Sequence, residues 1–147
     1  MDVGDLETAL QYFSESLQHS MRCHGISDLS VAVTYNQMGN VEAQLGNYQK
    51  ALDYHEKSLE IKIKCVGPFD VNVAATYKNM GIVQKQLGSF EKALELYGKA
   101  LEIELQSLGH FHASVVMTKE NIGYVYEQLG DLVHARSCID EAYSIFV

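Results

Sequence analysis

The 147-residue chain has a single proline, no tryptophan and only three cysteines. With Pro68 the only ring-constrained residue, almost nothing in the chain forbids helix. An odd cysteine count without framework spacing argues against a disulfide scaffold and points to a reducing, cytoplasmic setting. Basic residues are scarce: 11 Lys and Arg stand against 19 Asp and Glu, a net charge of −8. That balance disfavours nucleic acid and anionic membrane as partners. Long hydrophobic runs are missing too. The longest stretch without a charge, 105–118, includes Gln, Ser, Gly and His, and a membrane span needs about 20 apolar residues. The start, Met1-Asp2-Val3-Gly4-Asp5, lacks the basic segment of a secretory signal. What is present, 47 % apolar and 20 % charged residues, describes a folded domain of ordinary size.

The glycines set the architecture. Gly4, Gly46, Gly88 and Gly130 are each 42 residues apart. Gly39, Gly81 and Gly123 keep the same step, as do Gly25, Gly67 and Gly109. Of the 11 glycines only Gly98 stands outside these sets. A period between 20 and 50 residues marks a repeat array. Other columns move in register: Ala9, Ala51, Ala93 and Ala135; Val31, Val73 and Val115; Thr34, Thr76 and Thr118; Leu45, Leu87 and Leu129.

Within each unit, apolar residues recur three and four apart, first through Val31-Tyr35-Met38-Val41-Leu45, then through Tyr48-Ala51-Leu52-His55-Leu59-Ile63. This is helical spacing, and strand alternation is absent. The pattern predicts seven helices, at about 5–24, 29–45, 47–66, 71–87, 89–108, 113–129 and 131–146. Gly46, Gly88 and Gly130 suit the left-handed position that ends a helix. Asn47, Ser89 and Asp131 follow at once as expected caps, with Gly4-Asp5 as a fourth copy. Such short turns join antiparallel helices. The longer linkers, from Gly25, Gly67 and Gly109, end at Asp28, Asp70 and His112, before Ser30, Asn72 and Ser114.

These columns resemble the tetratricopeptide repeat (TPR). Tyr35-Asn-Gln-Met38-Gly39 and Tyr77-Lys-Asn-Met80-Gly81 carry the pattern of its first helix, A, and Ala51, Ala93 and Ala135 that of its second, B. The position after that alanine reads Phe13, His55, Tyr97, Ile139. The period of 42 and endings such as Ala100-Leu101-Glu102-Ile103 are similar to the repeats of kinesin light chains. The resemblance implies an all-α fold, a right-handed superhelix of antiparallel hairpins, in one domain spanning 1–147. Residues 1–27 form a B helix without its A partner, and repeats follow at 28–69, 70–111 and 112–147.

The resemblance also implies that the A helices line a concave groove holding a short segment of a partner protein, as in adaptor and cargo-recognition proteins. The expected groove residues are Asn36, Gln37, Asn40 and Gln44 in the first repeat and Lys78, Asn79, Ile82, Lys85 and Gln86 in the second. In the third they are Met117, Glu120, Asn121, Tyr124 and Glu127. Gln37, Asn79 and Asn121 are 42 apart, and a carboxamide both donates to and accepts from a peptide backbone. Lys78 and Lys85 make the middle basic, and Glu120 and Glu127 make the third repeat acidic. The carboxylate clamp of some TPR domains is broken: Asn40 and Asn79 match it, but its basic positions read Asn36, Met117 and Asn121.

The alternative is a unit that self-associates into a homo-oligomer through the ends of the array. Leu6, Leu10, Phe13 and Leu17 at one end, and Tyr143-Ser-Ile145-Phe146-Val147 at the other, have no covering helix in the expected order. Metal sites, cofactors and catalytic residues are not expected. His19 with Cys23 and His134 with Cys138 are separate pairs, and no glycine-rich phosphate loop or nucleophile elbow occurs.

Overall fold

The computed structural model describes residues 3–25 and 28–143. Its helices are α1 (Val3–His24), α2 (Leu29–Gln44), α3 (Tyr48–Val66), α4 (Val71–Gln86), α5 (Phe90–Leu108), α6 (Ala113–Gln128) and α7 (Leu132–Tyr143). No strand occurs among the described residues. Residues 144–147, part of the uncovered end expected from the sequence, lie outside them. The chain divides into two compact units, Met1–Phe69 and Asp70–Val147. The division falls where the second full repeat was expected to begin.

In the first unit α1 packs on α2, and α2 pairs with α3. Val31, Ala32, Met38, Ala51 and Leu52 form its buried core, and Leu6 of α1 joins them. Leu6 is therefore covered, unlike Phe13, which is half-buried. In the second unit α4 pairs with α5, α5 packs on α6, and α6 pairs with α7. Its core includes Val73, Ala74, Val83, Ala93, Tyr97, Val115 and Val125. Each such side chain, fully withdrawn from water, contributes about 1.5–3 kcal/mol.

The tight turns differ from expectation in an instructive way. Gly46 adopts φ 84°. Its N–H donates to the Ala43 carbonyl, and the Asn47 N–H donates to the Glu42 carbonyl at 2.8 Å. This doubly bonded helix ending recurs at Gly88 and Gly130, where the Ser89 and Asp131 N–H groups reach Gln84 and Tyr126. The backbone of Asn47 and Ser89 thus finishes the preceding helix, and neither side chain caps the next one. The Asn47 amide instead donates to Glu42 Oε2 at 2.8 Å. Asp131 does cap, accepting from the His134 N–H at 3.2 Å. Gly4 and Asp5 do not form a fourth copy of this turn, because α1 already begins at Val3. At the longer linkers Asp28, Asp70 and His112 accept from the N–H groups of Ser30, Asn72 and Ser114.

The second glycine column holds each hairpin shut. A Cβ placed on Gly39 would lie 2.8 Å from the His55 ring, and one on Gly81 would lie 2.8 Å from the Tyr97 ring. At Gly123 the corresponding neighbour is Ile139, at 3.1 Å. The variable column Phe13, His55, Tyr97, Ile139 is therefore the partner of the invariant glycine column in the last three hairpins.

Candidate functional site

The expected groove residues fall on α2 in the first unit and on α4 and α6 in the second, and they are not equally accessible. On α2, Gln37, Asn40 and Gln44 are exposed. Together with Ala9, Phe13 and Val41 they line a recess between α1 and α2. Asn36 is engaged elsewhere: its Oδ1 lies 2.7 Å from His55 Nδ1. The carboxamide oxygen accepts, so Nδ1 carries the proton. His55 is fully buried, and its Nε2 has no hydrogen-bond partner. Burial first, and then the charge of Lys62, lower its pKa from 6.5 to about 4.

On α4, Lys78 is also engaged. Its ammonium lies 3.3 Å from Glu104 of α5, whose side chain is 3 % exposed. The hydroxyl of Thr118, on α6, donates to the same carboxylate. One carboxylate thus links three helices. Lys78 belongs to this network more than to an open groove, which corrects the expectation of two equivalent lysines. The acid was visible in the sequence, because Glu104 continues the buried stripe Ala93–Tyr97–Ala100 at helical spacing. An acid on that stripe requires a partner.

Lys85 is the lysine the groove keeps. Its ammonium sits 4.9 Å from the centre of the Tyr124 ring, joining α4 to α6 by a cation–π contact. Tyr124 is 47 % exposed and Met117 58 % exposed, both on α6. Ile82 packs on the cluster of Ala93, Tyr97, Ile122 and Val125. Asn79, Glu120 and Asn121 are half-buried, while Gln86 and Glu127 are exposed. The second unit therefore presents an apolar patch, Met117 and Tyr124, beside one cation and a set of carboxamides.

The possible metal pairs do not grow into sites. Cys23 and His19 approach to 3.7 Å on the surface of α1. His134 pairs with Asp131 at 2.6 Å and stacks on Tyr126. Burial raises the Cys138 thiol pKa. Among the described residues no group of three His, Cys, Asp or Glu could hold a metal ion. No described helix is long and apolar enough to cross a membrane.

Helical hairpins of 42 residues, each closed by glycine against a large side chain, define a helical-repeat protein. The tetratricopeptide repeat model matches residues 1–64, 30–106 and 72–146, and the chain belongs to that family. No curated protein sequence matches it. Among solved structures, BtubC (BKLC) from P. vanneervenii is 26 % identical, with a TM-score of 0.89 over 97 % of this chain and 57 % of BtubC. The chain thus spans little more than half of that protein. Nearly identical TPR-like repeats from P. anserina, assigned to a kinesin light chain, are 15 % identical, with a TM-score of 0.84 over 97 % of this chain and 67 % of that one. The TPR domain of Arabidopsis FLU is 16 % identical, with a TM-score of 0.69 over 78 % of this chain and 93 % of the domain. The fold is an all-helical TPR fold resembling kinesin light chain repeats. Such repeats generally mediate protein–protein interaction.

Proposed function

We propose that the chain is a protein-binding module that holds an extended segment of a partner protein against α4 and α6 of the second unit. One observation carries the reading: Met117 and Tyr124 stand exposed beside Lys85, on the helix faces that TPR proteins use for partners. An aliphatic or aromatic partner side chain would cover Met117 and Tyr124. A partner carboxylate would meet Lys85, and Asn121 would pair with partner backbone. The role is that of an adaptor or scaffold in the cytoplasm, a setting that suits three free cysteines, and no enzymatic step is assigned to it. A peptide-library selection tests it, with retained peptides titrated against wild type and Lys85→Glu at two salt concentrations. Exposed ion pairs are worth about 0.2–1 kcal/mol and weaken with salt. Charge reversal should therefore weaken acidic peptides several-fold at low salt and change little at high salt. A peptide preference unaffected by the reversal would sink the assignment of Lys85.

A second reading, self-association through α7, is favoured by Leu132 and Val133, 66 % and 80 % exposed. Light scattering across concentrations decides it, since a constant monomer mass excludes it.

A further inference from the structure

The recess between α1 and α2 has a volume of about 380 Å³ and is lined by Ala9, Phe13, Gln37, Asn40, Val41 and Gln44. Its floor is apolar and its rim is three uncharged carboxamides. It is the open margin of the α1–α2 interface, continuous with the packing that buries Leu6. The internal repeat indicates what fits there. Ala9, Phe13 and Val41 stand two periods before Ala93, Tyr97 and Val125. In the second unit those three are fully buried. The cover there comes from α4: Ile82 packs on them, Gly81 receives the Tyr97 ring, and Lys85 lies over Tyr124. In the first unit no described helix does this for α1, and Ala9 and Phe13 remain half-buried.

We propose that this recess is a docking site for an amphipathic A-type helix supplied by another polypeptide. The helix must place a glycine on the Phe13 ring, as Gly39 meets His55 and Gly81 meets Tyr97, because a Cβ there has no room. It must follow the glycine with an aliphatic residue, in the manner of Ile82. Four residues after the glycine, where Lys85 meets Tyr124, the recess offers Asn40, so the helix needs a hydrogen-bonding side chain there. The absence of charge on the rim means that recognition rests on shape and amide pairing and resists salt. This surface is separate from the α4 and α6 faces proposed above.

The probe is a synthetic peptide with the sequence of residues 70–87, which is itself an A-type helix of this kind, titrated into the isotope-labelled chain. A second peptide carries Gly81→Leu. The expected result is saturable shifts at Ala9, Phe13, Asn40 and Val41, unchanged by salt, and at least about tenfold weaker with the leucine peptide, the effect of overpacking. Because the substitution is in the peptide, the fold of the chain is not at issue. No shifts at α1, shifts elsewhere, or an equal response to both peptides would overturn the proposal. So would the same signals moving when the free chain is diluted, which would make a second copy the occupant.

Discussion

Acid should loosen the first unit through a single side chain, His55. In the fold its Nδ1–H donates to Asn36, and Nε2 faces Gly39 without a partner. A second proton on Nε2 would be buried with no acceptor. The unfolded chain accepts that proton near pH 6.5 and the fold resists it until about pH 4. The folded pKa is the depressed one, so the stabilisation is fully present above pH 6.5 and is lost as pH falls toward 4. At about 1.4 kcal/mol per pH unit, the loss by pH 4.5 is about 2–3 kcal/mol. The assay is guanidinium unfolding followed by circular dichroism at pH 7.5, 6, 5 and 4.5, for wild type and His55→Tyr, which adopts the residue of the next repeat. The other histidines titrate alike in both proteins, so the difference in slope belongs to His55. Wild type should take up close to one additional proton on unfolding between pH 6 and 4.5. Parallel pH profiles for the two proteins would refute the argument.

Three further outcomes follow from the packing. Gly81→Leu should destabilise the chain by about 1–3 kcal/mol, because the Tyr97 ring has no space to yield; thermal unfolding reads the cost. Gly98→Ala should stabilise by about 0.5–1 kcal/mol, since Gly98 lies inside α5 with nothing within 4 Å of an added Cβ, and alanine is the better helix former; an unchanged midpoint would contradict this. Lys78→Met should cost about 3 kcal/mol by leaving the Glu104 carboxylate buried without its cation. Adding Glu104→Met should recover much of that loss, and a double-mutant cycle without coupling would show that the pair contributes nothing.

The fold was largely legible in the sequence because helix endings depend on local chemistry. A glycine every 42 residues marks each turn whether or not the neighbouring helices are known. Asn47 and Ser89 were misread as caps for the same local reason: cap-forming residue types follow a glycine, but their N–H groups close the helix behind them. The site was less legible. Asn36 and Lys78 look alike as groove positions, and each bonds a residue on the following helix, His55 and Glu104. Rules of helical spacing report neighbours three and four residues away and are silent about partners 19 or 26 positions on. Lys85 differs from Lys78 only because its neighbour across the helices is a ring rather than an acid.

The network centred on Glu104 has a consequence for how such a chain can be rearranged. Lys78 and Glu104 lie within one hairpin, as do Asn36 and His55. Recombination at the longer linkers keeps each pair together. The hydroxyl that Thr118 brings to Glu104 is available from any following repeat, because Thr34, Thr76 and Thr118 share one column. Recombination at Gly46 or Gly88 would instead join the first helix of one repeat to the second helix of another, setting Asn36 against Glu104, or Lys78 against His55. Whole hairpins are therefore the interchangeable pieces of this protein. Duplication and shuffling, in evolution or by design, should succeed when the junction lies beside Asp70 or His112 and fail when it lies inside a hairpin.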